Sequence, residues 1–297
     1  MEDATNHATD QIKLTPSTYL IALNCHPFHP VDAIEAALYS VASAVSVFRR
    51  NTTSDVAVRV FWHNSNPPPK ELLAKASELG FTLDQSRHTT NGDNLNHQLD
   101  YASRHDFRIF FRVDGDDTVA AERFKLQANV LESGDYDLCG AGLRYQSHGG
   151  ETFEVLPNQR PTTRDYLENK YLLHPTLAFR MEAIRESGLR YWSKRLEDKA
   201  LLLQALRLKL RVGNVSIIAG TYNVHPSTRD TLAPKWLGFC LNHAFLYRQR
   251  ALQLIPYAVI LFLCQTLLGS NRMRRLRAWR DNNPNLTSLA KSRTVRF

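Results

Sequence analysis

The run from Phe107 to Asp117, FRIFFRVDGDD, limits what the chain can fold into more than any other stretch. Ile109, Phe110, Phe111 and Val113 are apolar and β-capable, and the run stops abruptly at three carboxylates, Asp114, Asp116 and Asp117. Such a pattern reads as a buried strand. The acids then stand at its C-terminal edge, where ligands bind in an open α/β sheet. Carboxylates this crowded repel one another unless a cation lies between them. A hard divalent ion such as Mg²⁺ or Mn²⁺ suits them, because it takes oxygen ligands and shares them with phosphate. An acidic turn bent at Gly115, with no metal, is the competing reading of these residues alone. A calcium-binding EF-hand loop is excluded, since it needs glycine where Val119 stands and glutamate where Lys125 stands.

On either side, strand and helix patterns alternate. Thr18–Asn24 and Val56–Trp62 read as strands, with a shorter one at Phe81–Leu83. Val31–Phe48 carries apolar residues at helical spacing, with Asp32 and Glu35 in its first turn, where acids favour the helix dipole. A helix through Lys70–Leu79 stops at Gly80, a residue suited to ending helices. Thr90–Ser103 opens on turn residues and continues with Leu95, Leu99 and Ala102 on one helical face. Beyond the acids, Ala121, Phe124, Ala128 and Leu131 mark another helix, and the strand Tyr136–Leu143 closes a βαβ unit around the carboxylates. This order predicts an α/β fold built on a parallel, doubly wound sheet. Cys25, His26 and His29 in CHPFHP are metal-ligating types, but a fourth ligand is lacking and the prolines suit a loop leaving a strand.

The chain's 297 residues, 43% of them apolar, suffice for one large core and at most part of a second. The opening residues MEDATNHATDQIK are polar and mixed in charge, unlike a secretory leader, so a cytosolic chain is expected. Cys25, Cys139, Cys240 and Cys264 form no CxxC pair, which argues against a disulfide framework. The sequon at Asn51 then carries no weight. The net charge of +8 is unevenly placed, five arginines falling within Asn271–Arg280, which points to an anionic partner, nucleic acid or membrane.

Six segments in order carry a resemblance: NGDNLNHQLDYA, FFRVDGDD, ERFKLQANVLESGDYDLCGAG, HPTLAFRMEAIRESGL, LEDKALLLQAL and YNVHPSTRD. Together they resemble the family 2 glycosyltransferases of the GT-A fold, over roughly Thr18–Arg229. The resemblance implies a metal-dependent enzyme that moves a sugar from a nucleotide-sugar donor to a glycan or lipid-linked acceptor, in cell-surface polysaccharide synthesis. It implies that Asp114 faces the donor ribose and shares in metal binding, that Asp116 holds Mn²⁺ or Mg²⁺, and that His225 contacts metal or diphosphate. Asp198, with Glu197 beside it, is implied as the general base. His174 is implied at the acceptor site, and Asn91 and Asn96 on the donor side. At the end of the second strand the family commonly carries an Asp, in a D-D-x-S or a D-N-x-S form. Asn64 and Ser65 echo the latter as donor-binding residues, but His63 replaces the acid, so a uridine nucleotide is not implied. Without the resemblance, Glu197 and Asp198 read as charges compensating a helix dipole, worth under ~1 kcal/mol. A base opposite the leaving group predicts inversion at the anomeric carbon.

The implied organisation is a polar tail (1–17), a catalytic domain (18–230) and a C-terminal helical, apolar and basic region (231–297). In the last, Leu252–Leu268 is apolar but reaches only about 25 Å as a helix, short of a hydrocarbon core of about 30 Å. A helix in the interface of the cytoplasmic membrane surface, held by the arginines behind it, is the expectation. A helix packed on the catalytic domain and a full span are the alternatives. Two other functions stay open: a nucleotidyltransferase or phosphohydrolase using the same acids, and a nucleic-acid-binding protein, against which no binding motif appears.

Overall fold

The computed structural model describes residues 18–224, apart from 65, 89, 148–149, 163–164, 166–170 and 193–196. Ser65, His225, Arg229 and the whole apolar and basic C-terminal region lie outside the described residues.

The chain runs β1 (Thr18–Cys25), α1 (Val31–Arg49), β2 (Asp55–His63), α2 (Lys70–Glu78), β3 (Thr82–Ser86), α3 (Asn91–Arg104), β4 (Ile109–Asp114), β5 (Thr118–Val119) and α4 (Arg123–Glu132). It continues through β6 (Leu138–Ser147), β7 (Thr152–Val155), a 3₁₀ turn at His174–Thr176, β8 (Ala178–Arg180), α5 (Met181–Ser187), α6 (Glu197–Arg207) and β9 (Val212–Val224). The sheet order is β3-β2-β1-β4-β8-β6-β9-β5, with β7 on β6. Strands β3, β2, β1 and β4 are parallel, as expected, and so are β6 and β9.

The sequence reading of a simple βαβ closure around the acids needs correction. β8 lies antiparallel between β4 and β6 and separates them. The 3₁₀ turn beside it wedges in by hydrogen bonds: Leu177 O accepts from Arg112 N, and Thr176 Oγ1 accepts from Ala141 N, at 2.9 Å each. β4 also begins at Ile109 rather than Phe107. The chain leaves α3 with Asp106 at φ 53° and Phe107 N donating to Ala102 O at 3.1 Å, a left-handed helix end that buries Phe107 before the strand starts.

Strand alternation divides the core. Tyr19, Ile21 and Leu23 of β1 and Ile109, Phe111 and Val113 of β4 face α1, α2 and α4. Leu20 and Ala22 of β1 and Phe110 of β4 face α3, α5 and α6. Phe110 and Phe111 are buried on opposite faces, each contributing about 2–3 kcal/mol of transfer free energy. α1 is long and apolar enough to cross a membrane by length and composition. Its Ile34, Leu38, Val41, Val45 and Phe48 are instead buried against the sheet, which makes it a core helix. Continuing the alternation along β4 puts Arg112 and Asp114 on the α3 and α6 face, and this parity decides what the acids meet.

Candidate active site

The acidic turn is fastened to the end of β1. Gly115 N donates to Asn24 O at 2.9 Å, and a Cβ on Gly115 would lie 2.5 Å from Cys25 Sγ and 3.0 Å from the Cys25 backbone. Glycine is required here by close approach rather than by an unusual φ. On the strand side, Arg112 is nearly inaccessible to water. Its guanidinium lies 2.5 Å from Asp114 Oδ1 and donates to His174 O at 3.0 Å. On the other side, β9 holds the turn: Asn223 N donates to Asp117 Oδ1 at 3.0 Å, and the Asn223 amide donates to Asp116 O. Asp116 and Asp117 are both buried, and His29 Nε2 stands 3.6 Å from Asp116 Oδ1. Burial, reinforced by the charges of Asp114 and Asp116, holds the Asp117 carboxyl well above its usual range.

The start of α6 is tied to the same region through Asn91, and Glu197 and Asp198 occupy its first turn. Within electrostatic reach of both lies the buried phenol of Tyr191. Burial raises its pKa, and the charges of Arg112, Asp114, Glu197 and Asp198 all act on it, which marks where these groups converge. Tyr191 OH is 3.2 Å from His174 Nε2, and burial with the nearby Arg112 and Lys199 keeps that imidazole neutral. Glu197, its pKa raised chiefly by burial, accepts a hydrogen bond of 2.6 Å from the Asn91 amide.

The residues expected on the donor side divide. The Asn96 amide donates to Tyr191 O at 2.9 Å while its oxygen accepts from Tyr191 N at 2.8 Å. Asn91 spans from Asn24 to Glu197. Both amides thus have partners within the protein. Asn64 caps the turn after β2, its Oδ1 accepting from Asn66 N at 3.0 Å. Next to it, His63 fills the place of the family's acid as a buried, neutral ring. Its Nδ1 is 2.6 Å from Ser86 Oγ and its Nε2 is 3.0 Å from Gln98 Nε2. Burial, helped by the neighbouring His26, lowers it to about 2, and burial lowers His26 to about 4. At the same edge Phe28 is 71% exposed and stacks on His26 with ring centroids 4.8 Å apart. Asn24, Arg112, Tyr191 and Asn223 were not singled out from the sequence, and His29 was considered only as a metal-ligating type and set aside. Of the four, only Arg112, a charge inside an apolar strand, gave a signal.

The donor set suits a hard divalent cation. Asp114, Asp116 and Asp117 offer oxygens alone, and Asp117 Oδ2 is buried with no hydrogen-bond partner among the described residues. Among the described residues, no three His, Cys, Asp or Glu side chains are already gathered as a metal cage. Oxygen ligands shared with a bound phosphate need no such cage.

No protein-family model and no curated protein sequence matches the chain. Its fold is similar to that of TarS 1-349 from S. aureus solved with UDP-GlcNAc, at 14% identity over 77% of this chain and 66% of that one, with a TM-score of 0.55. It is also similar to the mannosyltransferase PcManGT from Pyrobaculum calidifontis solved with GDP-Man and Mn²⁺, at 12% identity over 94% of this chain and 82% of that one, with a TM-score of 0.53. The chain spans 60% of TarS 1-349 in a further structure and 39% of a longer TarS chain. The likeness establishes the architecture: this is a GT-A type fold, an α/β sheet with a parallel half and helices on both faces.

Proposed function

We propose that the chain is a glycosyltransferase that moves a sugar from a nucleotide-sugar donor to a glycan or lipid-linked acceptor, with a divalent metal and with inversion. One observation carries the reading. Asp114 at the C-terminal edge of β4 and the Glu197–Asp198 pair at the start of α6 all act on the same buried phenol, Tyr191, and Asn91 bridges Asn24, which holds the acidic turn, to Glu197. Donor-side charge and a proton acceptor therefore lie within electrostatic reach of one residue. The GT-A architecture, shared with proteins solved with UDP-GlcNAc and GDP-Man, supports it.

In this reading Asp116 and Asp114 would hold Mn²⁺ or Mg²⁺, which supplies Lewis-acid stabilisation of the leaving diphosphate when bound. Arg112 aims Asp114 through its 2.5 Å contact. Asp198 takes the proton of the acceptor hydroxyl, and attack from the face opposite the diphosphate inverts the anomeric centre. His174 and Tyr191 form a neutral wall on the acceptor side. With His63 committed to Ser86 and Gln98, base recognition rests on other groups, and the exposed ring of Phe28 offers a flat surface at that edge. A place at the inner face of the membrane rests on the sequence of residues 252–280 alone.

The test is a panel of nucleotide sugars with Mn²⁺ or Mg²⁺, following nucleoside diphosphate release with and without candidate acceptors. Acceptor-dependent release from one donor is expected. Release of nucleoside monophosphate, or hydrolysis indifferent to acceptor, would turn the assignment to a nucleotidyltransferase or phosphohydrolase.

A further inference from the structure

A line of side-chain amides links the acidic turn to the start of α6. Asn24, 2% exposed at the end of β1, holds the acidic turn through its carbonyl, which accepts from Gly115 N at 2.9 Å. Its Oδ1 accepts from Gln98 Nε2 at 2.9 Å, which fixes the orientation of its amide. The Asn24 amide nitrogen then donates to Asn91 Oδ1 at 3.4 Å, and the Asn91 amide donates to Glu197 Oε1 at 2.6 Å. Asn91 opens α3 and Glu197 opens α6, so the bridge ties the first residues of two helices to the acidic turn. The same helix α3 grips the segment leading into α6 a second time, through Asn96 and the Tyr191 backbone.

We infer that Asn91 and Glu197 are positioning residues, a strut that sets the distance between the acidic turn and the start of α6, and that Glu197 is not the proton acceptor. The inference rests on the glycosyltransferase reading for its catalytic part and on the hydrogen-bond chain for its structural part. Consecutive helical residues point about 100° apart. With Glu197 turned to Asn91, Asp198 is directed elsewhere from the same fixed turn and remains the residue able to meet an acceptor. A strut needs only a hydrogen-bond acceptor at Glu197, which an amide oxygen provides, whereas a base needs a carboxylate.

The experiment compares Asn91→Ala, Glu197→Ala, Glu197→Gln, Asp198→Asn and the Asn91→Ala/Glu197→Ala double variant in the full chain. A misplacement of this kind is worth ~10–100-fold in rate. Asn91→Ala and Glu197→Ala should each lower kcat by that order with donor KM changed less than about threefold, and the double variant should be no slower than the slower single one. Glu197→Gln should recover most of the rate, while Asp198→Asn should not turn over. Glu197→Gln as inactive as Glu197→Ala, with Asn91→Ala near wild type, would make Glu197 the base and overturn the inference. Thermal unfolding of the same variants separates the two claims. If wild type transfers no sugar, the glycosyltransferase reading fails, and the strut still stands if the Tm shifts of the singles fail to add in the double. Additive Tm shifts would remove it.

Discussion

Arg112 and Asp114 stand two positions apart on β4, on the face covered by α3 and α6, and their side chains meet at 2.5 Å with the guanidinium almost wholly out of water. The same guanidinium reaches His174 O, so one arginine orders an acid and the 3₁₀ turn opposite it. Removing one partner of a buried pair strands the other, at a cost of about 3–5 kcal/mol. Arg112→Met should therefore lower the free energy of unfolding by that order in denaturant titration. A loss below about 1 kcal/mol would mean that water or a bound cation compensates Asp114 as well as Arg112 does.

Gly115→Ala should destabilise by overpacking, by about 1–3 kcal/mol. The added Cβ meets both the Cys25 thiol and the Cys25 backbone, so trimming the thiol in Gly115→Ala/Cys25→Ala should recover only part of the loss. Thermal melts of the single and double variants decide this, full recovery being the unexpected result.

Much of this was legible in the sequence, and the reasons differ by residue. The β4 acids and the helix starting at Glu197 are local features, a strand ending in carboxylates and an apolar helix opened by acids, and both appear where the pattern placed them. The insertion of β8 was not legible, because a three-residue strand carries too little periodicity and its place is fixed by Thr176 and Leu177 bonding to distant backbone. Asn91 and Asn96 were expected on the donor side from the resemblance. Their partners within the fold, Glu197 and the Tyr191 backbone, lie about a hundred positions later, and no local signal reports that.

The histidine cluster predicts a pH dependence. His63 and His26 are held neutral in the fold at about 2 and about 4, below the ordinary imidazole value of 6.5. The unfolded chain therefore binds more protons in the window below pH 6.5, and stability falls as pH drops through it. His63 alone should cost about 2 kcal/mol between pH 6.5 and pH 5. Denaturant unfolding from pH 8 to pH 4.5 should show this slope, and His63→Gln should flatten it. An unchanged slope in the variant would assign the acid sensitivity to other groups.

Asp198→Asn should abolish sugar transfer while leaving the affinity for donor within about threefold, since the amide keeps shape and loses basicity. Wild-type kcat in this variant would return Asp198 to the role of a helix-start charge.

The central claim is that the acidic edge of β4 binds a nucleoside diphosphate through a divalent cation, and calorimetric titration of UDP and GDP tests it most directly. With Mn²⁺ or Mg²⁺ present, one of the two should bind at a single site. Chelator or Asp116→Ala should weaken it by more than ~30-fold, about 2 kcal/mol, without lowering the Tm of the free protein, because losing one acid relieves repulsion on Asp117. Binding of equal strength with chelator and in Asp116→Ala, or none to either nucleotide at millimolar concentration, would contradict the account.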